Sequence, residues 1–474
     1  MFLIKKIKKF KKRIALIGLN GNEISYSQLD KISETYSNLI ESNKLIFIIG
    51  GYSEDIIFFY ISALKKNCLV KFLNPSINKN YLKTLIRKFK PHYIVNDNKK
   101  NEIKNFKKIY KTTNNVILLK KNKWFKFNIN PKLMFIQSTS GSTGSAKCVK
   151  LTKKNIEINT NDICKSLKIK KNHTTVTTLP ISYVYGLSII NTHLFVGARI
   201  ILNNATFFEK KFWNLFSLFK ISSFGGVPYN YDILDKLGFF EKKIYFKNLS
   251  YTTVAGGKIS LELLKKINKF YKLHKTRFYN MYGASEASAR MSLLDWKYSE
   301  KKIGSIGKPI GKGKFLLKVK NKIHTRSNFK GKLLFKGQNI YTGYAYDYKS
   351  LSFLQNIKIL NTDDTAIKDK DNFYYIISKQ SRFTKIFGNR LNLDELDELF
   401  KRFKVKSISK SFVDNKIIVF IEKQNEKKIN FLKRKFIDYT KLNINTLKFK
   451  IIKKIPINNN GKIDFNNPIL KNEN

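Results

Sequence analysis

The sequence is short of cysteine, histidine, acidic residues and long apolar runs. Three cysteines, Cys68, Cys148 and Cys164, in 474 residues make no disulfide framework and no CxxC pair. That fits a reducing compartment and argues against a structural zinc site. The five histidines are scattered, so a metal site built on imidazoles is not expected. No run of about 20 apolar residues occurs, and the nearest stretch, Tyr183 to Leu202, is broken by His193 and Arg199; no transmembrane segment is expected. The start, MFLIKKIKKFKKR, places its basic residues after its apolar ones, the reverse of a secretory signal. A cytoplasmic chain with a frayed, solvated beginning is expected. The alternative for that stretch is an amphipathic helix touching a membrane.

Acid is outnumbered: 33 Asp and Glu face 92 Lys and Arg, a formal net charge of +59. Such a balance ordinarily points to polyanions. Here Lys, Asn, Ile, Phe and Tyr, all with A/T-rich codons, are abundant together, while Ala, Gly, Pro and Arg are scarce. Lys is also spread along the chain. Compositional drift accounts for this, and no specific nucleic-acid partner is expected, since a nucleic-acid face concentrates its basic residues among stacking aromatics. The 42% hydrophobic share and 38 Phe support a folded core, and single cores seldom exceed about 250–300 residues, so more than one domain is expected.

Short apolar runs alternate with lysine-rich helical patterns. NKLIFIIGG, NCLVKFL, PHYIVND, NNVILL and ARIILN read as strands, with SEDIIFFYISALKKN and NKNYLKTLIRKFK as helices between them. This implies an α/β fold whose large N-terminal domain, residues 1–378, contains helix-covered, largely parallel sheets. FLLKVKNKIHT and GKLLFKG add a small antiparallel or barrel-like part. Residues 379–474 read as a small mobile α+β domain of helix, two strands, basic helix and strand.

At Ile136 to Asn155 the chain reads IQSTSGSTGSAKCVKLTKKN. Its pattern reads as strand, small-residue loop and helix, with Thr152 as the helix cap. Glycines let backbone N–H groups converge, hydroxyls add donors without bulk, and Lys147 adds positive charge, an array suited to phosphate. It is not a Walker A loop, because Gly141 is followed five positions later by Ala146, and Lys147 by Cys148.

TSGSTGSAK, from Thr139 to Lys147, resembles the phosphate loop of the adenylate-forming (AMP-binding) superfamily, which includes acyl-CoA synthetases, carrier-protein acyl ligases and adenylation domains. Ala146 and Cys148 replace that loop's usual Pro and final Gly. VAGGKIS, YNMYGASEASAR, GSIGKPI, FKGQNIYTGY, NTDDTA, TKIFGNRLNLDELD and PINNNGKID follow in the family's order as far as Lys462.

The resemblance implies an acid–thiol ligase using ATP and Mg²⁺. Thr139, Ser140, Gly141, Ser142, Thr143, Gly144 and Lys147 would hold phosphates, Gly256 and Gly257 would lie against adenine, and Tyr282, followed by Gly283, would stack on it. Ser285 would stand in for a phosphate-binding Thr, Glu286 would hold the metal, Asp364 would take the ribose hydroxyls, and Lys462 would be the catalytic lysine. The implied reaction joins a small carboxylic acid to AMP, with loss of pyrophosphate, then passes the acyl group to CoA or to the phosphopantetheine of an acyl carrier protein. Ser381, Lys385 and Gly388 would belong to the hinge and thiol channel, where a rotation removes Lys462 for the second step.

The sequence departs from the family near that hinge. Asp363 replaces a Gly, Ser378-Lys379 replace Gly-Arg, with Lys379 still able to reach a ribose hydroxyl, and Ser381 replaces an Asp. A nucleotide-binding scaffold without catalysis is therefore the competing reading. Tyr183, Tyr185 and Phe224 suggest an apolar or aromatic acyl pocket. No Asp or Glu occurs from Leu179 to Phe208, which disfavours an α-amino acid substrate, because that family branch binds the ammonium with an Asp. NMYGASEASARMS and KIFGNRLNLDELD also resemble stand-alone ligases of surface-polysaccharide or acyl-carrier chemistry, suggesting a small or medium acyl group.

Overall fold

A computed structural model describes residues 2–97, 103–123, 126–138, 147–241, 247–257, 259–320, 322–324, 327, 329–379, 383–387, 389–411, 416–422, 424, 426–456 and 467–470. The chain forms two compact units, one of residues 1–139 with 146–379, the other of 380–474.

The first unit contains three sheets. In an eight-stranded sheet, the run NKLIFIIGG supplies Leu45–Ile49, which pairs in parallel with Leu69–Leu73 on one side and Tyr93–Asn96 on the other. A nine-stranded sheet runs in parallel from Ile14–Ile17 through Arg199–Ile201, Thr174–Val176, Ser223–Gly226 and Tyr251–Val254 to Arg277–Tyr282, with antiparallel strands at both margins. The third sheet, five antiparallel strands from Lys314 to Lys379, forms where the pattern changes to FLLKVKNKIHT and GKLLFKG.

The long apolar stretch after Tyr183 is a helix, Val184–Val196, buried at every residue from Val184 to Leu194. A helix buried all round has no solvent face to offer. Leu187, Ile190 and Leu194 join a core with Ile46, Ile48 and Val70 of the first sheet, while Tyr185 and Ile189 pack with Tyr251 and Tyr279 of the second. Its polar groups are paired internally: the Tyr60 hydroxyl donates to Asn191 Oδ1 at 2.6 Å, and His193 Nδ1 lies 2.8 Å from the Ile189 carbonyl.

Two expectations need correction. The N-terminus is neither frayed nor free for a membrane: Phe2–Lys9 is a helix whose Leu3 and Ile7 are fully buried, with Phe2 packing on Phe195 at 5.9 Å. Its Leu and Ile recur one turn apart, and burying that stripe against the core outweighs end-fraying. Among the described residues no helix is long and apolar enough to cross a membrane.

The small-residue loop is also followed first by a strand that the reading as strand, loop and helix did not contain. Cys148–Thr152 is a strand, antiparallel to Leu133–Ser138, and the helix runs Lys153–Leu167. Thr152 does cap it: its hydroxyl accepts from Asn155 N at 3.2 Å, and Asn155 Oδ1 accepts from Thr152 N at 2.9 Å. The β-branched and small apolar residues CVKLT fit a buried sheet better than a helix start.

In the third sheet, Asp363 adopts φ +58°. This is the position where the resembling family carries Gly, and the left-handed backbone explains that preference. Asp is one of the few side chains that enter the region with local hydrogen bonding, and Asp363 N donates to Asn361 Oδ1 at 3.1 Å.

The second unit has a three-stranded sheet, Ser407–Lys410, Ile417–Glu422 and Leu447–Ile452, with helices Leu393–Arg402 and Glu426–Thr440. Leu396, Phe400, Val419, Ile421, Leu432 and Phe436 form its core.

Removing the Thr152 cap, Thr152→Ala, should lower stability by about 1 kcal/mol in urea unfolding, with Thr152→Ser retaining most of it. At the left-handed turn, Asp363→Val should cost about 1–2 kcal/mol, whereas Asp363→Gly should cost nothing. Equal losses in melting temperature for both would show that the backbone angle is not the constraint.

Candidate active site

The small-residue loop joins two antiparallel strands whose register pairs Ser138 with Cys148. No helix N-terminus follows it directly, so positive charge beside it comes from side chains. Lys147 Nζ lies 3.6 Å from the centre of the Tyr344 ring. Lys71, fully buried in the strand Leu69–Leu73, donates to Ser138 Oγ at 2.8 Å and Cys148 Sγ at 3.2 Å. Its ammonium therefore joins the two residues at the feet of the loop. Sequence reasoning missed Lys71; the signal was a lone Lys inside the apolar strand LVKFL. Thr139, Ser140, Gly141, Ser142, Thr143 and Gly144 lie outside the described residues.

Tyr344 also reaches the acidic residue of the Tyr-Gly-Ala-Ser-Glu segment. Its hydroxyl donates to Glu286 Oε1 at 3.2 Å, and Tyr341 N donates to the Glu286 carbonyl at 2.7 Å. The two tyrosine rings meet edge to face at 4.9 Å. Burial, reinforced by the Glu286 carboxylate, pushes the Tyr344 phenol far above its ordinary pKa, so it remains a donor. One tyrosine thus touches both Lys147 and Glu286, a role that the sequence FKGQNIYTGY did not reveal.

Glu286 sits in a short 3₁₀ turn, Ser285–Ala287, just beyond the strand Arg277–Tyr282. Gly283 makes that turn possible, since a Cβ there would fall 1.7 Å from the Ala289 carbonyl oxygen. Ser285 is buried. The Tyr282 hydroxyl donates to Asp364 Oδ2, joining the end of the nine-stranded sheet to the five-stranded one. Asp364 stands opposite Lys379 in the register of the latter. Gly256, with φ +91°, and Gly257 follow the neighbouring strand Tyr251–Val254.

Tyr183 and Tyr185 lie edge to face at 6.2 Å, and the Tyr185 hydroxyl is 2.6 Å from Thr253 Oγ1. Phe224 is 2% exposed and packs with Phe207, Phe216 and Phe239, so it serves the core as well as the wall of a small cavity. Lys385 lies on the strand Phe383–Ile386 of the second unit. Ser381, Gly388 and Lys462 lie outside the described residues.

Among the described residues no three His, Cys, Asp or Glu side chains cluster to hold a metal ion. Glu286 alone fits Mg²⁺, which commonly takes one or two carboxylates and completes its shell with nucleotide phosphates and water. Lys147 supplies charge suited to phosphate, and Asp364 is an acceptor suited to sugar hydroxyls.

Residues 3–345 match the family described as AMP-binding enzyme. An oxalate–CoA ligase from Arabidopsis thaliana is 23% identical over 55% of this chain and 50% of its own length. A 2-succinylbenzoate–CoA ligase from Bacillus mycoides is 24% identical over 56% of this chain and 54% of its own. The chain thus spans about half the length of these relatives. The o-succinylbenzoate CoA synthetase of Bacillus subtilis, bound with a product analogue, has the same fold: TM-score 0.79 at 15% identity, covering 98% of this chain and 97% of that one. The same synthetase in complex with ATP and magnesium ion gives a TM-score of 0.65 at 14% identity, covering 98% of each chain. With the loop strands, the Tyr282–Glu286 turn and the Tyr344 contacts all inside the matched span, the chain belongs to the AMP-binding enzyme family.

Proposed function

We propose that the chain is an ATP-dependent carboxylate-activating ligase that forms an acyl-adenylate and then a thioester. The observation that carries this reading is the meeting of Lys147 and Glu286 on Tyr344, a phosphate-suited cation and a Mg²⁺-suited carboxylate oriented by one ring.

In the proposed reaction a carboxylate oxygen of the acid bonds to the α-phosphorus of ATP while the bond to pyrophosphate breaks. Chemistry of this kind depends on positioning and charge neutralisation more than on a protein nucleophile. Lys147 would attract the outgoing phosphates, and the loop Thr139 to Gly144 would donate to them. Ser285 would contact phosphate, Gly256 and Gly257 would border the adenine on which Tyr282 stacks, and Asp364, with Lys379 opposite, would hold the ribose. Bound through Glu286, Mg²⁺ would neutralise phosphate charge. Lys462 would meet the charge developing between acid and α-phosphate. Tyr183, Tyr185 and Phe224 would form the acyl pocket.

A thiol then displaces AMP. The two CoA ligases among the relatives favour CoA as that thiol over a carrier protein; Ser381, Lys385 and Gly388 are the proposed hinge and channel. The substitutions Ser378, Lys379 and Ser381 favour one rival, a nucleotide-binding homologue without catalysis.

Pyrophosphate release from Mg²⁺·ATP, measured across a panel of carboxylic acids with hydroxylamine as trap, tests the proposal. Acid-dependent release is expected, falling about 100-fold or more in Lys462→Ala. Folded, ATP-binding protein silent with every acid and thiol would favour the rival. A second measurement probes the carrying observation. Tyr344→Phe removes the hydroxyl but keeps the ring under Lys147, and should raise the Mg²⁺ concentration for half-maximal rate about 2- to 10-fold. An unchanged Mg²⁺ dependence would show that this hydroxyl does not orient Glu286.

A further inference from the structure

Beyond the tyrosine of the acyl wall lies a buried positive charge that, among the described residues, meets Tyr185 but no carboxylate. Arg290 is 4% exposed, and its Nε and Nη1 are buried with no hydrogen-bond acceptor. Its guanidinium stacks over the Tyr185 ring at 4.8 Å. Its backbone is fixed by Asn159 and Asn339, whose Nδ2 atoms donate to the Arg290 carbonyl at 2.7 and 3.4 Å. The head of the side chain is therefore held in place yet left unsatisfied.

Arg290 lines a cavity of about 10 Å³, room for roughly one water-sized group. Thr175, His193, Ser223, Tyr251 and Thr253 supply its polar wall, Phe224 is part of its apolar wall, and among the described residues no carboxylate lines it. His193 adds no charge: burial pulls it down to about 3, so it is neutral at pH 7. Its Nδ1 faces the Ile189 carbonyl, and its Nε2 lies 3.5 Å from Ser223 Oγ and 3.4 Å from the Tyr251 hydroxyl. Burial raises the Tyr251 phenol, which stays neutral too. Burial also pulls Arg290 below its ordinary value, but a guanidinium remains charged near neutrality. The lining thus holds one charge, positive and uncompensated, and a buried charge in that state costs several kcal/mol until an anion pairs with it. The small volume takes one oxygen-sized group, so a carboxylate would reach Arg290 with a single oxygen.

We propose that Arg290, with the hydroxyls of Ser223, Tyr251 and Thr253, forms an anion subsite behind the acyl pocket, and that the acid activated by this chain carries a second carboxylate that pairs with it. The proposal rests on the acid-activating reading above for the role of the ligand, and on the buried guanidinium for its charge. Arg290 acts here in specificity and takes no part in the bonds that form or break.

The test compares matched acids of equal carbon number, succinate with butyrate, glutarate with valerate, and phthalate with benzoate. Without ATP, melting of the full chain reports binding. At least one dicarboxylate should stabilise the wild type more than its partner, and Arg290→Met should abolish the difference. With Mg²⁺·ATP, the kcat/KM ratio of dicarboxylate to monocarboxylate should fall about 30-fold or more in Arg290→Met, with Arg290→Lys between the two. Equal binding of every pair by the wild type, a preference for the monocarboxylates, or stabilisation by chloride alone equal to that by the dicarboxylates would overturn the proposal. Because those comparisons use wild-type protein, they decide even if Arg290→Met does not fold. Dicarboxylate binding without pyrophosphate release would uphold the subsite and count against acid activation; release with monocarboxylates alone would do the reverse.

Discussion

The buried helix Val184–Val196 is the constraint around which the large unit is arranged. Buried from Val184 to Leu194, it lies against core residues of both large sheets. Each of its polar groups then needs an internal partner, because no water reaches the helix to replace one. Asn191 finds Tyr60, Thr192 finds the carbonyls of Ser188 and Ile189, and His193 finds Ile189. Of these, the bond to Tyr60 reaches outside the helix and helps to fix its rotation. Tyr185 is fixed with it, its hydroxyl on Thr253 and its ring beneath Arg290. The acyl wall is thus set by core packing.

A different logic governs the nucleotide side. There the strands end, and the groups presented are charged: Lys147 and Glu286 on Tyr344, Asp364 on Tyr282. Tyrosine donates to the carboxylate in both places, and Tyr344 also offers its ring to a cation. In a chain with a formal charge of +59, Glu286 and Asp364 each have a tyrosine hydroxyl as donor.

Much of this architecture was legible in the sequence because it rests on local pattern. Runs such as NKLIFIIGG and PHYIVND became the strands Leu45–Ile49 and Tyr93–Asn96, and the motif order led to the family. What failed was context. The strand CVKLT between loop and helix was missed because so short a run does not reveal a buried strand by its periodicity. Phe2–Lys9 looked frayed because the core that accepts Leu3 and Ile7 is built from residues far along the chain. Lys71 and Tyr344 were invisible for the same reason: their importance lies in partners brought together by the fold, Ser138 and Cys148 for one, Glu286 and Lys147 for the other.

The burial of all three cysteines has a practical consequence. Burial raises the Cys68 thiol to about 11 and the Cys164 thiol to about 12, and only a thiolate attacks an alkylating reagent efficiently. Buried in the native chain, the three cysteines are its own silent labels, each at a different place in the large unit. Cys164 lies on the helix after the loop, Cys68 just before the strand of Lys71, and Cys148 at the foot of the loop beside the Lys71 ammonium. The order in which they become alkylated gives a map of which layer opens first, without a foreign probe being introduced.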